Sequence, residues 1–201
     1  MNLVSTVRNL TLAAGLALSL SACGINSVPE QEELAKEAWG NVENAYQRRA
    51  DLIPNLVSTV RAAAESEEEI LTQVIEARSQ ASSVQLDGTD LTDPSKFQQF
   101  EQAQGQLGSA LSRLLLVVER YPELQSQQRF ADLMVALEGS ENRINTMRDR
   151  YNAAVREYNT TIRTFPDIIG ANIIHGADPM ESFSAQAGAE NAPVVEFGED
   201  S

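Results

Sequence analysis

The sequence predicts an all-α protein, an antiparallel bundle of three long helices followed by a disordered acidic C-terminal tail. Apolar residues recur at three- and four-residue steps through most of the 201-residue chain, and no stretch alternates apolar and polar residues as a strand does. Only 5% of the residues are aromatic, so the core consists mainly of Ala, Leu, Val and Ile. Long periodic stretches joined by short loops are typical of antiparallel bundles.

The N-terminal residues resemble a bacterial lipoprotein signal peptide. The apolar run Leu10–Ala22 is about a dozen residues long, too short to span a bilayer as a helix. The string Leu20-Ser21-Ala22-Cys23-Gly24 resembles a lipobox, where the signal is removed and the cysteine acylated with fatty acids such as palmitate. We therefore predict 1–22 as signal peptide, Cys23, the only cysteine, as the lipidated residue, and 23–30 as a tether. The alternative is an ordinary secretory signal followed by an incidental cysteine.

The first bundle helix is predicted from Gln31 to about Ala81 on the strength of one continuous apolar stripe. The stripe consists of Leu34, Ala38, Val42, Ala45, Ile53, Leu56, Val60, Ala63, Ile70, Val74 and Ala81. Pro54 lies inside it and removes one backbone donor. Because the stripe keeps its phase past this proline, we expect a kink near Asp51. A full break at Pro54 would make four helices instead of three.

A loop is predicted from Ser82 to Pro94, where Asp87-Gly88 and Asp93-Pro94 supply turn-forming residues. Asp93 can cap the second helix, with Pro94 at its first position. That helix ends at the bend Tyr121-Pro122. Its apolar face consists of Phe97, Phe100, Leu107, Leu111, Leu114, Leu115 and Val118.

The third helix is predicted from about Ser126 to Arg163. Leu137, Ile144, Tyr151, Tyr158 and Phe165 follow one another at intervals of seven, which indicates a gently supercoiled seam against a partner helix. Phe165-Pro166 ends the helix. The remainder of the chain becomes rich in Gly, Ala, Ser, Glu and Asp without any period. We therefore predict a bundle over 31–175 and a flexible acidic tail over 176–201.

Several strings at fixed spacing together resemble the LemA family of bacterial envelope proteins over about residues 34–175. The strings are Trp39, Gln47-Arg48-Arg49-Ala50-Asp51-Leu52-Ile53-Pro54-Asn55-Leu56-Val57, Glu76-Ala77-Arg78, Glu119-Arg120-Tyr121-Pro122-Glu123-Leu124, Glu141, Ile144, Arg148, Tyr151-Asn152, Val155, Tyr158-Asn159, Ile162 and Phe165-Pro166. The resemblance implies a bundle of long antiparallel helices and assigns no biochemical activity. Family members commonly start with a transmembrane helix, and this chain looks as if a lipobox replaces that helix.

Four charged residues are expected to form one structural network inside the bundle. Glu67 and Glu141 interrupt the apolar stripes, and Arg78 and Arg148 lie near the core side of their helices. A buried charge without a partner is strongly destabilising. We therefore predict ion pairs that join these carboxylates to these guanidinium groups across helices and fix the helix register. A binding role for the network is the less favoured interpretation.

Two Tyr-Asn pairs, Tyr151-Asn152 and Tyr158-Asn159, stand seven residues apart on the third helix. We expect the tyrosines in the core. The asparagines are expected to be half-buried, with hydrogen bonds across the bundle that fix its register.

The sequence predicts no catalytic residue, metal ligand or cofactor. His175 is the only histidine and lies beyond the last predicted long helix, so we expect no Ser-His-Asp set. A single histidine also cannot form a histidine metal cluster, and no glycine-rich phosphate loop is present. The carboxylates Glu65, Glu67, Glu68 and Glu69 point around the helix instead of converging. A net charge of -14 argues against nucleic acid as a partner.

The favoured hypothesis is a non-enzymatic lipoprotein on the extracytoplasmic face of the cell envelope. Cys23 would attach it to the membrane, and the bundle would bind another envelope protein that the sequence does not identify. Gly24 replaces the aspartate that retains lipoproteins in the inner membrane, which favours the outer membrane where the organism has one. The alternatives are an accessory or regulatory subunit of an envelope peptidase or cell-wall hydrolase, and a purely structural, self-associating coil.

Overall fold

The computed structural model describes the backbone of residues 3–184 and, from residue 26 onward, every side chain up to 184 except that of Glu65. Over these residues the chain is all-α without strands, and the predicted fold class is confirmed. The long helices within this range are α1 (Leu3–Arg61), α2 (Glu68–Ser83), α3 (Pro94–Val118) and α5 (Gln128–Thr161). The short helix α4 (Pro122–Gln125) precedes α5, and α6 (Asp167–Gly170) continues into a π-helical turn at Ala171–His175.

The first predicted helix is divided, but not at Pro54. α1 runs through Pro54 and ends at Arg61, and the chain turns at 62–67 before α2 begins. A proline in a helix leaves the carbonyl four residues earlier without its donor. Here the guanidinium of Arg78 donates from Nε to that carbonyl, the backbone oxygen of Ala50, at 2.8 Å. The hydrogen bond that Pro54 removes is thus replaced from α2, and α1 continues.

Residues 26–30, expected to be a tether, are instead part of the packed bundle. Val28 is completely buried in a core cluster that includes Trp39, and α1 passes through Pro29 as a helix. The predicted signal peptide and the predicted lipidation of Cys23 concern side chains that lie outside the described residues.

α1 and α5 pack against each other in opposite directions along most of their length. Near one end Ser27 bonds Asp167, and further along Trp39 contacts Tyr151 with ring centroids 5.2 Å apart. α2 returns antiparallel to α1, and α3 packs on α2. The indole of Trp39 also meets Phe100 at 5.1 Å and donates from Nε1 to the backbone oxygen of Leu86 at 3.2 Å. These contacts hold α1, α3 and α5 together at the aromatic end of the bundle.

The predicted boundary of the tail at Gly176 is wrong for the residues that directly follow it. Gly176 adopts a φ of +57°, in the left-handed region that favours glycine, and turns the chain back along α5. Residues 177–184, named here the C-terminal segment, lie against the bundle without regular secondary structure, and Met180 and Phe183 are buried. Residues 185–201 lie outside the described part of the chain.

Candidate functional site

A groove of about 1180 Å³ separates α3 from α5. Tyr46 and Arg49 of α1 are buried and form its base. Phe183 and Ser184 close one end, so the C-terminal segment leads directly into it. The walls include Glu101, Gln104, Leu111, Ser112 and Arg113 from α3, and Met134, Leu137, Glu138, Glu141 and Arg148 from α5.

Two asparagines of α5 hold the C-terminal segment by its backbone. Asn159 donates from Nδ2 to the backbone oxygen of Met180 at 2.9 Å and accepts from the backbone N–H of the same residue at 2.9 Å. Asn152 makes the equivalent pair of bonds with Phe183, at 3.0 and 2.9 Å. Each side-chain amide thus pairs with one residue of the segment as a neighbouring strand would.

The spacing of these asparagines matches the spacing of an extended chain. Seven helical residues advance about 10.5 Å, and three extended residues advance about 10 Å. Asn152 and Asn159 are seven apart on α5, while their partners Phe183 and Met180 are three apart. The helix and the segment therefore stay in register over both contacts.

The tyrosines beside these asparagines bind the same segment. Tyr151 donates its hydroxyl to the backbone oxygen of Glu181 at 2.9 Å, and Tyr158 donates to that of Asp178 at 3.0 Å. Burial raises the pKa of both phenols above the ordinary value, so both remain donors at neutral pH. The prediction that the tyrosines are core residues and the asparagines half-buried is confirmed. The asparagines bond the C-terminal segment, however, and not another helix.

Arg49 connects three helices at the base of the groove. Its side chain is 4% exposed, and its Nη1 donates to Oε2 of Glu141 at 3.0 Å. Its Nη2 donates to Oε1 of Gln104 at 3.0 Å, and its guanidinium lies 5.2 Å from the ring centroid of Tyr46. Among the described residues, no acceptor meets its Nε hydrogen. A buried guanidinium without its partners is strongly destabilising, so the contacts of Arg49 fix α1, α3 and α5 relative to one another.

The predicted network of Glu67, Arg78, Glu141 and Arg148 needs correction, because these four do not pair with one another. Glu67 accepts from Arg120 at 3.1 Å and from the Tyr121 hydroxyl at 2.9 Å, near the turn between α1 and α2. Arg78 bonds the carbonyl freed by Pro54. Which charged side chains meet depends on how each helix is rotated, and the sequence pattern did not fix that rotation.

The other two members of the predicted network lie on the groove wall with separate partners. Glu141 pairs with Arg49. Arg148 lies 3.8 Å from Glu101, donates to the backbone oxygen of Ser184 at 3.4 Å, and covers the ring of Phe183 at 4.4 Å. Burial raises the pKa of Glu101, and the charge of Arg148 opposes that rise. Arg148 therefore joins the groove wall to the point where the C-terminal segment enters it.

Sequence reasoning missed Arg49, Gln104 and Glu101. A signal for Arg49 was present, because it lies four residues after Ala45 and four before Ile53, in the gap of the apolar stripe. A charge in that position indicates a buried ion pair. Gln104 and Glu101 have no comparable signal, since a glutamine or glutamate on a long helix is usually solvated.

The described residues show neither a metal site nor a membrane-spanning helix. No group of three or more His, Cys, Asp or Glu side chains in this range is placed to hold a metal ion. Likewise, no helix within the described residues is both long and apolar enough to cross a membrane.

The family model of the LemA family matches residues 38–197, about four-fifths of the chain, including the whole C-terminal segment. The chain belongs to the LemA family. It is similar to the magnetosome proteins MamQ 1 and MamQ 2 of Paramagnetospirillum magneticum, each 45% identical over 64 residues, which are 32% of this chain and 24% of the relative. It is also similar to the magnetosome protein MamQ of Magnetospirillum gryphiswaldense, 34% identical over 94 residues, 46% of this chain and 34% of that protein. This LemA-family chain thus aligns with no more than about a third of each relative's length.

Proposed function

We propose that this LemA-family protein is a lipid-anchored, non-enzymatic envelope protein that binds an extended peptide segment of another envelope protein. The binding site is the groove between α3 and α5. One observation carries the proposal: α5 already holds an extended chain, the C-terminal segment, by its backbone, and the last described residues of that segment, Phe183 and Ser184, line the groove. Main-chain hydrogen bonds supply affinity for an extended peptide, and pockets for its side chains supply specificity.

The open part of the groove offers both kinds of contact. Leu115, Met134 and Val135 provide accessible apolar surface, and the polar groups of Glu138 and Arg113 lie beside it. Arg148 and Met134 are separated by fourteen helical residues, about 21 Å, which six extended residues would cover. A peptide of that length fits the groove in line with the C-terminal segment.

The anchor part of the proposal rests on Cys23. The string around it resembles a lipobox, and the apolar run before it has the length of a signal sequence. Confinement to a membrane raises the effective concentration of partners on the same membrane without any additional contact. The similar proteins are named magnetosome proteins, and this name supports an association with a membrane.

Photocrosslinking in cells tests this function. A photoreactive amino acid replaces the exposed Ser112 in the groove, and in the matched control it replaces Ser79, which is exposed on α2 outside the groove. We expect a discrete adduct from Ser112 that mass spectrometry maps to one extended segment of an envelope protein, and no such adduct from Ser79. A captured peptidase or cell-wall hydrolase would identify the accessory role. Adducts only with the chain's own residues 185–201, or equal adducts from both positions, would contradict the proposal.

A further inference from the structure

One end of the bundle exposes a cluster of large apolar side chains. Among the described residues, eight large hydrophobic side chains are exposed, and four of them fall between positions 165 and 174. They are Phe165, 75% exposed, Ile169, 50%, Ile173, 79%, and Ile174, 56%. Single exposed apolar residues are ordinary, whereas a contiguous group marks an interaction surface. We call these four residues the apolar cap.

The apolar cap lies at the end of the bundle where the predicted anchor is attached. Ser27 of α1 donates a hydrogen bond to the carboxylate of Asp167, the first residue of α6. Val28 and Ala171 belong to the same buried cluster. Cys23 precedes Ser27 by four positions in α1, which is about 6 Å along a helix axis. A lipid on Cys23 would therefore leave the chain about one helical turn from the contact between Ser27 and α6, the helix that carries Ile169 of the apolar cap.

The stretch that carries the apolar cap also contains few acidic residues. The whole chain has a net charge of -14, which repels anionic lipids. Between Arg163 and Gly176, by contrast, Asp167 is the only acidic residue, and Ser27 already bonds it. Arg163 is exposed at the edge of the cap. The stretch that carries the apolar cap thus adds a single carboxylate to the surface that would meet the membrane.

We propose that the apolar cap rests on the lipid bilayer beside the anchor, with its phenylalanine and isoleucine side chains in the interfacial region. The inference rests on the proposed membrane attachment at this end of α1. With two adjacent attachments the bundle stands away from the membrane, because α1 leads from this end toward the turn at 62–67 and the antiparallel α5 lies alongside it. The groove then faces sideways above the membrane, where a neighbouring envelope protein can reach it.

Site-directed fluorescence tests this contact in the mature protein, reconstituted into vesicles of phosphatidylethanolamine and phosphatidylglycerol. An environment-sensitive thiol dye is placed at Ile173→Cys and, as the control, at Leu116→Cys, an exposed residue near the distal end of α3. Lipidation blocks the thiol of Cys23, so the dye reports the introduced position. We expect a shift to shorter wavelength and quenching by brominated lipids at Ile173, and neither at Leu116. An unshifted, unquenched dye at Ile173 in the anchored protein would overturn the proposal.

A second variant separates lipid contact from self-association and from failure of the anchor. With the dye at Ile174→Cys, the substitutions Phe165→Ser and Ile169→Ser should abolish the quenching and leave the helical circular dichroism unchanged. A dye that is already shielded in detergent-free solution, with a concentration-dependent dimer, would assign the apolar cap to a second copy and refute the bilayer contact. Mass spectrometry of the N-terminus tests the anchor separately. If Cys23 proves unmodified, vesicle-dependent quenching at the cap would still uphold the contact.

Discussion

Replacing Asn159 by alanine should release the C-terminal segment while the bundle stays folded. The change removes two hydrogen bonds, each 2.9 Å long, to the backbone of Met180. At a net ~0.5–1.5 kcal/mol for each bond, the loss is about 1–3 kcal/mol of local stability. Because every 1.4 kcal/mol is tenfold in an equilibrium, amide exchange at Met180 should accelerate roughly 5- to 150-fold. Hydrogen–deuterium exchange resolved to single residues measures this.

Two further variants and a neighbouring amide make the result specific. The exchange of Phe183, which Asn152 binds, should also accelerate, since the segment opens as one unit. Asn159→Asp keeps the acceptor for the Met180 N–H but loses the donor, and should give an intermediate rate. Asn142→Ala, at an exposed position on α5, is the matched control and should change nothing. If the amides of Met180 and Phe183 exchanged as slowly in Asn159→Ala as in the wild type, the hydrogen bonds of Asn159 would not hold the C-terminal segment in place.

Three more outcomes follow from the buried polar contacts. Glu141→Leu should destabilise the fold by about 3–5 kcal/mol in chemical denaturation, because it leaves the buried guanidinium of Arg49 without its carboxylate. Arg49→Leu in the same chain should recover part of that loss, and strict additivity of the two changes would argue against their pairing. Arg78→Ala should lower the free energy of unfolding by about 1–3 kcal/mol, because it leaves the Ala50 carbonyl without a donor. In a Pro54→Ala background the loss should be much smaller, since the backbone N–H of the new alanine can donate to that oxygen. Equal losses in both backgrounds would argue against the compensation. Burial raises the pKa of Tyr151 above its ordinary value of 10.0, so the unfolded chain loses this proton at a lower pH than the folded chain, and the free energy of unfolding should fall as the pH rises beyond 10.0. Unfolding measured as a function of pH should show a smaller fall in Tyr151→Phe. An identical pH profile in both proteins would contradict this prediction.

The helices were predictable because burial of one apolar face stabilises each of them, and the sequence shows that face as apolar residues at steps of three and four. The division after Arg61 was not, since Val60, Ala63 and Ile70 keep nearly the same phase although the backbone turns between them. At Pro54 the sequence suggested a kink or a break, but the helix continues, because Arg78 on another helix replaces the hydrogen bond that the proline removes.

The candidate site was only partly predictable, and the reason is again physical. The Tyr-Asn pairs were recognised as half-polar seam residues, but their partner is an extended segment held by its backbone. Backbone bonding imposes no period and little composition on that segment, so 177–184 looked like the rest of the tail. The ion pairs depend on helix rotation and axial offset, which an apolar stripe determines only to within about one residue position.

Peptide binding in the groove is the central claim, and one binding measurement tests it most directly. The segment captured by crosslinking is synthesised with a fluorophore, and its dissociation constant for the purified mature protein is measured by anisotropy. Ser112→Trp places an indole in the groove, whereas Ser79→Trp places the same group on the exposed face of α2. The account predicts that Ser112→Trp weakens binding about tenfold or more, equivalent to ~1.4 kcal/mol, and that Ser79→Trp leaves it unchanged. Equal affinity in all three proteins would contradict it.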